Sequence, residues 1–187
     1  MKKIWAMMSI LVLTATLAAG CTAQDANTEA AGQTAADDYG AAGAILYGQK
    51  LSVEDMLNYA IEDEYLARQT YADIMADYGE VTPFSNIILA EEYHIELLTG
   101  LFESYGYTMP KDQSAAHESL PRSFEEALQT GAVIEEDNIA MYEMFLAVDL
   151  PDDVSAVFEE LKAASENHLT AFQGGRGNGG GQYRENH

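Results

Sequence analysis

The sequence predicts an all-α protein, built as an up-down bundle of four helices. In four segments, apolar residues recur at spacings of three and four, which is typical of amphipathic helices packed on a core. Each segment begins at a capping residue or a proline, and three of them stop at a glycine. No stretch alternates apolar and polar residues as a strand does. At 187 residues, the chain is long enough for one domain with a substantial core.

The N-terminus has the pattern of an export signal. A basic head, Met1-Lys2-Lys3, precedes an uncharged apolar run over residues 4–19, which predicts a signal peptide over residues 1–20. Leu17-Ala18-Ala19-Gly20-Cys21 resembles the lipobox of bacterial lipoproteins, although Ala18 stands where leucine is commonest. That resemblance implies a lipid on Cys21 and an exported protein anchored to the bacterial cell envelope, on the outer face of the membrane or in the periplasm. The alternative is an ordinary signal peptide with an unmodified cysteine.

Composition limits the chemistry and the partners. Cys21 is the only cysteine, so the folded part has no disulfide framework and no cysteine metal site. The formal charge is −22, and loss of Lys2 and Lys3 with the signal would lower it to −24. Such a surface repels nucleic acid and attracts cations. We therefore expect no nucleic-acid partner. The negative charge is explained equally well by a need for solubility and by attraction of metal cations.

The rest of the chain divides into a tether, a bundle and a tail. Residues 21–50 are rich in Ala, Thr, Gln, Asp and Gly and are predicted to be a flexible tether. Residues 51–173 form the bundle, and residues 174–187 form a glycine-rich, disordered tail. The expected helix boundaries are Ser52 to Gly79, Pro83 to Gly106, Ser123 to Leu146, and Pro151 to Gly174-Gly175.

The segment between the second and third helices predicts a long crossover. Residues 106–122 contain two prolines and a polar middle, so they read as a connection. About seventeen residues can extend to about 55 Å, whereas a helix of about twenty-two residues is about 33 Å long. The connection can therefore run along the whole bundle.

Each apolar stripe is interrupted near the middle of its helix by polar residues. These residues are Glu64 in the first helix, Glu91 and His94 in the second, Glu135 in the third, and Ser165 and His168 in the fourth. Middle positions meet at one level of a bundle whichever way the helices run. A buried carboxylate is costly unless something compensates its charge, and a metal ion would do so. Three carboxylates and two imidazoles suit iron or manganese and can take zinc. The alternative is a set of hydrogen-bonded core residues without metal.

Neighbouring glutamates are assigned to other positions by the same helical phase. Glu62 falls on the face opposite Glu64 and is predicted to lie on the surface. Glu136 lies about 80° from the centre of its stripe, which places it at the rim.

Several motifs resemble a known superfamily. Glu64-Tyr65-Leu66-Ala67-Arg68-Gln69-Thr70-Tyr71, Glu91-x-x-His94, and Ser165-Glu166-Asn167-His168 followed by Phe172 resemble helix motifs of rubrerythrin-type ferritin-like proteins. The amino-acid sequence around Glu135 and His168 most resembles the domain-of-unknown-function family 2202. The resemblance covers about residues 51–172 and implies a ferritin-like bundle. It also implies that Glu64, Glu91, His94, Glu135 and His168 are metal ligands, and we expect Tyr71, Ser165 and Glu136 to lie beside them.

The resemblance implies an iron protein, with one or two ions, whose metal is oxidised by peroxide or oxygen. The chain lacks the cysteine-rich iron module of many rubrerythrins, so any electrons would come from a partner. Ser165 stands where the superfamily has a glutamate, so the second half of the site lacks one charge and one bridging ligand. We expect one tight metal position and one that is weak or completed by water or an added anion. Two alternatives are a metal-binding or sensing protein without turnover and a metal-free helical interaction module. Homo-oligomerisation is left open.

Overall fold

Four helices account for most of the structure. The computed structural model describes residues 39–40, 50–117 and 120–178. The helices are α1 (Val53–Tyr78), α2 (Phe84–Tyr105), α3 (Phe124–Leu146) and α4 (Asp152–Asn178), with a short 3-10 helix, Ser114–Ala116, between α2 and α3. The described residues contain no strand. The predicted all-α class, the four helices and the long connection between α2 and α3 are confirmed.

The helices pack as two neighbouring pairs, α1 with α2 and α3 with α4, and the pairs meet through α1–α3 and α2–α4 contacts. The buried apolar residues form two clusters. The first includes Leu57, Ile61, Leu98, Phe102, Tyr142, Phe145, Phe158 and Leu161. The second includes Ala67, Tyr71, Ile74, Phe84, Ile87, Leu128, Ala132 and Phe172. On every helix, the predicted polar positions fall between residues of the first cluster and residues of the second.

Local sequence explains where the helices begin and end. The Ser52 hydroxyl accepts from the Asp55 N–H at 3.1 Å, and the Asp55 carboxylate accepts from the Ser52 N–H at 2.8 Å. This reciprocal capping box satisfies two donors at the start of α1. At the start of α3, the Ser123 hydroxyl accepts from the Glu126 N–H at 3.1 Å, which is half of a capping box. The other half does not form, because the Glu126 carboxylate accepts from the Arg122 N–H at 3.0 Å. Gly106, with φ +68°, follows α2 in the left-handed conformation that glycine favours.

The predicted end of the fourth helix is wrong. α4 continues through Gly174 and Gly175 and ends at Asn178, so the first residues of the predicted tail are helical. Glycine weakens a helix by about 1 kcal/mol relative to alanine, but it keeps both of its backbone hydrogen-bonding groups. Without a proline there, the helix can continue for another turn. Residues 179–187 lie outside the described part of the chain.

The predicted tether is not free of the bundle at Tyr39 and Gly40. The Tyr39 hydroxyl accepts from the Gln113 N–H at 3.0 Å, and its ring stacks on His117 with a centroid separation of 4.7 Å. The Gly40 N–H donates to the Glu62 carboxylate at 3.0 Å, so Glu62 is half-buried and not at the open surface predicted for it. Helical phase within α1 could not reveal this, because the covering residues come from elsewhere in the chain.

Among the described residues, no helix has both the length and the apolar character needed to cross a membrane. Residues 1–20 and Cys21 lie outside the described ranges. The export signal and the lipid attachment therefore stay predictions.

Candidate metal centre

The five predicted ligands meet between the two apolar clusters, and all five are buried. His94 follows Glu91 by three residues on α2, so the two side chains share one face of that helix. The His94 Nδ1 atom lies 3.0 Å from Glu91 Oε2 and 3.1 Å from Glu64 Oε2 of α1. Glu64, Glu91 and His94 thus form the first half of the centre.

The second half is built around the other oxygen of Glu91. His168 of α4 places its Nδ1 atom 3.2 Å from Glu91 Oε1 and 3.4 Å from Glu135 Oε1 of α3. The two imidazole rings lie 5.8 Å apart at an interplanar angle of 26°. Glu91 therefore contributes one carboxylate oxygen to each half of the centre.

Two buried tyrosines hold the outer carboxylates. The Tyr142 hydroxyl of α3 donates to Glu64 Oε1 at 2.7 Å, and the Tyr71 hydroxyl of α1 donates to Glu135 Oε1 at 2.7 Å. Each tyrosine thus supports a glutamate of the other helix. The sequence prediction placed Tyr71 beside the ligands but did not include Tyr142. A repeated spacing could have revealed it, because each glutamate precedes the tyrosine of its own helix by seven residues.

The same repeat extends to the other two helices. Glu91 and His94 on α2 match Ser165 and His168 on α4 in spacing. The α3–α4 hairpin therefore repeats the pattern of the α1–α2 hairpin, with Ser165 in the place of a glutamate. Ser165 is 2% exposed, so the position is inside the bundle even though it carries no carboxylate.

The negative charge of the carboxylates in the centre is offset by protonated histidines. Burial lowers the pKa of His94, but Glu64 and Glu91 outweigh this effect and raise it to about 10. Burial likewise opposes protonation of His168, and Glu135 and Glu91 raise its pKa to about 9. Burial and the Glu91 charge raise the pKa of Glu64 to about 7. Without metal, both imidazoles are therefore protonated near neutral pH, and a metal ion bound at Nδ1 must displace those protons.

The carboxylate shared by both halves is stabilised in its charged form. Burial alone would raise the pKa of Glu91, but the adjacent His168 and His94 imidazoles hold it below its ordinary value. Glu91 is therefore an ionised carboxylate placed between two cationic groups.

The residues fit a bound metal on two grounds. Glu135 Oε2 is buried without a hydrogen-bond partner, and the 3.2 Å contact between Glu91 Oε1 and His168 Nδ1 does not form a hydrogen bond, which is costly unless something else binds these atoms. Two ligand atoms that each lie about 2.1 Å from one ion are about 3.0–3.4 Å apart. The imidazole-to-carboxylate distances run from 3.0 to 3.4 Å. Glu64, Glu91 and His94 could hold one ion, and Glu91, Glu135 and His168 could hold another.

Other side chains depart from the sequence interpretation. Glu136 is exposed, and the structure does not bring it to the centre. Asn138 is 1% exposed, and its Nδ2 atom has no hydrogen-bond partner. The neighbouring apolar residue, Ile139, is only half-buried. Asp63 is also buried, one residue before Glu64.

The chain is similar in sequence and in fold to known proteins. Residues 115–187 match the family described as "Uncharacterized protein domain (DUF2202)". The uncharacterised protein MJ0754 of Methanocaldococcus jannaschii is 32% identical in an alignment of 127 residues; the match covers 59% of this chain and 68% of that protein. The crystal structure of hypothetical protein MJ0754 from Methanococcus jannaschii DSM 2661 superposes with a TM-score of 0.62 at 26% identity, covering 74% of this chain and 88% of that one. The expected resemblance to family 2202 is confirmed, and the chain belongs to the uncharacterised DUF2202 family.

Proposed function

We propose that this protein is an envelope-anchored, ferritin-like oxidoreductase that binds one or two iron ions and uses them to reduce peroxide or oxygen. The observation that carries the proposal is Glu91, which contributes one oxygen to each of two three-ligand groups. Carboxylates and imidazoles projecting inward from all four helices are the arrangement that bundle proteins use for paired metal ions. The predicted lipobox at Cys21 supports the envelope location.

In this proposal, each protein group has one task. Glu64, Glu91 and His94 would hold one metal ion, and Glu91, Glu135 and His168 would hold the other. The Tyr142 and Tyr71 hydroxyls fix the outer carboxylates, as hydrogen-bonding partners of metal ligands commonly do.

The surroundings of the centre favour redox chemistry. The two apolar clusters lie on either side and limit the entry of water. Bound iron would supply the electrons for the oxidant. Because the described residues contain no cysteine, a separate donor protein would return those electrons.

Anaerobic purification followed by metal analysis and an optical spectrum tests the proposal. We expect up to two iron ions per chain and a spectrum that changes within seconds when one equivalent of hydrogen peroxide is added. Glu135→Gln should lower the metal content, whereas Glu136→Gln, one residue away on the exposed face, should match the parent protein. Stably bound zinc without oxidant consumption would favour binding or sensing without turnover. A folded protein that takes up no metal would favour a helical interaction module.

A further inference from the structure

We propose that Asn138 and Ser165 form a site for a small anion, of the size of formate or hydroperoxide, that completes the metal centre where the second hairpin lacks a glutamate. The inference rests on the proposed function, because the anion would bind beside the metal. It assigns a role to Asn138, which no sequence motif indicated.

The register between α3 and α4 places the two residues opposite each other. Three contacts between α3 and α4 define this register. A Cβ atom added to Gly131 would lie 2.6 Å from the Phe172 ring, and the Glu135 and His168 side chains approach to 3.4 Å. The ring centroids of Phe145 and Phe158 are 5.4 Å apart. From one pair to the next, the residue number on α3 rises by as much as the residue number on α4 falls, as expected for two antiparallel helices in constant register. Three residues beyond Glu135 and three before His168, the same register pairs Asn138 with Ser165.

The unsatisfied polar atoms of the centre are all in this half. Glu91 Oε1, Glu135 Oε2 and His168 Nδ1 form no hydrogen bond, although His168 Nδ1 lies 3.2 Å from Glu91 Oε1. Asn138 Nδ2, about one helical turn along α3 from Glu135, forms none either. In the first half, by contrast, both Glu64 oxygens, Glu91 Oε2 and His94 Nδ1 have hydrogen-bond partners. A metal ion would bind the first three atoms but not the amide, which is a donor and needs an acceptor. An anion bound to the metal would supply that acceptor, with the Ser165 hydroxyl as a second donor.

Charge favours an anion over water at this place. Three carboxylates neutralise three of the four positive charges of two divalent ions, so one unit of charge is left in a buried region. Uncompensated charge is costly at low dielectric. The glutamate missing at position 165 would have removed that charge, and a bound anion does the same without it.

The second half also contains the more exposed of the two imidazoles. The His168 side chain is 11% exposed, compared with 4% for His94. An external ligand would therefore reach the centre past His168 more readily than past His94, whereas Asn138 and Ser165 are themselves buried.

An azide titration of the cobalt(II)-loaded protein tests the inference without any redox reaction, since the visible spectrum of cobalt(II) reports its ligands. We expect azide to change the spectrum of the parent protein. Ser165→Glu should keep its cobalt but lose the response, because its own carboxylate fills the site. Asn138→Leu should bind azide at least tenfold more weakly. Asn167→Leu, the same change at an exposed position on α4, is the matched control and should behave like the parent.

Each result has a distinct meaning. If the parent protein takes up no cobalt, the proposed metal function fails, and the anion site fails with it. If cobalt binds but azide leaves the parent spectrum unchanged, only the anion site is overturned. An unchanged azide affinity in both folded variants, Ser165→Glu and Asn138→Leu, also overturns it. If one variant does not fold, as judged by circular dichroism, the parent titration and the other variant decide.

Discussion

At the scale of single residues, Glu91 differs from the other four predicted ligands. Its two oxygens point to different imidazoles, at 3.0 Å from His94 and 3.2 Å from His168. Each of the other two glutamates approaches one imidazole. Loss of the Glu91 charge would therefore affect both halves, whereas loss of Glu64 or Glu135 would affect one.

Glu91→Gln should lower the metal content per chain to less than half that of the parent protein. The amide keeps the shape of the side chain, but it removes the charge that acts on both metal positions and replaces one of the two oxygens with an NH2 donor. Elemental analysis of the purified protein measures this. Glu92→Gln is the matched control, since Glu92 is the next residue on α2 and is exposed. Equal metal content in the Glu91 variant and the Glu92 control would contradict the shared role of Glu91.

At the scale of helices, the α3–α4 contact depends on a residue with no side chain. A Cβ atom added to Gly131 would meet three atoms of the Phe172 ring at 2.6 to 2.9 Å. Phe172 is fully buried and packs against Tyr71 and Phe84, so its ring has little room to move. Gly131 thus permits the close approach that fixes the register of the second hairpin.

Gly131→Ala should lower the free energy of unfolding by about 1–3 kcal/mol, the usual cost of overpacking a core. Gly100→Ala provides the control, because Gly100 is also helical but has no atom within 4 Å of an added Cβ. That change should be neutral or stabilising by up to about 1 kcal/mol. Urea denaturation measures both. Equal effects of the two substitutions would mean that the ring of Phe172 yields freely.

The α1 capping box gives a stability prediction with a defined pH dependence. Ser52→Ala should lower the free energy of unfolding by about 1 kcal/mol at neutral pH. Hydrogen bonds from Ser52 lower the pKa of Asp55 below its ordinary value of 3.8. A carboxylate with a lowered pKa stabilises the fold above its ordinary pKa and loses that contribution as the pH falls.

The difference between the parent protein and Ser52→Ala should therefore shrink as the pH falls below about 4. Thermal unfolding across that pH range measures the difference. Ser85→Ala is a suitable control, because α2 has no side-chain hydrogen bond at its N-cap. If the difference in stability between the parent protein and Ser52→Ala grew as the pH fell, the Ser52–Asp55 hydrogen bonds would not be its cause.

At the scale of the whole molecule, Tyr39 and Gly40 join parts of the chain that are distant in sequence. Tyr39 contacts the crossover at Gln113 and His117, and Gly40 contacts Glu62 on α1. Gly40 has φ +81°, and an added Cβ would lie 2.1 Å from Asp63 Oδ1. Both the backbone conformation and the space therefore require glycine there.

Gly40→Ala should release this contact and speed hydrogen exchange at the Gln113 amide, whose acceptor is the Tyr39 hydroxyl. Mass spectrometry after deuterium labelling can follow the peptide that contains Gln113. Gly79→Ala is the control, because Gly79 has a similar φ of +86° but nothing near an added Cβ. Unchanged exchange at Gln113 in Gly40→Ala would show that the contact does not depend on this glycine.

The proposed anchor also belongs to this scale. Cys21→Ser should move the protein from the membrane fraction to the soluble or unprocessed fraction, because stable anchoring requires acyl chains on that cysteine. Fractionation of a bacterial expression host with immunoblotting measures the distribution. A Ser variant that fractionates with the membrane as the parent does would contradict lipid attachment at Cys21.

The sequence by itself determined the helices and the residues that point inward. The starts at Ser52 and Ser123 and the stop at Gly106 depend on capping within a few residues, which local sequence encodes. The inward positions of Glu64, Glu91 and His168 follow from helical periodicity, which is also local. Where the local signal was weak, as at Gly174, the predicted boundary was wrong.

The tertiary structure decided which of these residues meet. The hydrogen bond between Tyr142 and Glu64 joins residues 78 positions apart, and the contact between Glu135 and His168 depends on the register of α3 and α4. The close approach at Gly131 helps to set the register of α3 and α4, and Gly40 contacts a face that α1 alone would leave open. Periodicity specifies a direction around one helix axis. It contains no information on the height at which a neighbouring helix packs, and this height decides the partners within the centre.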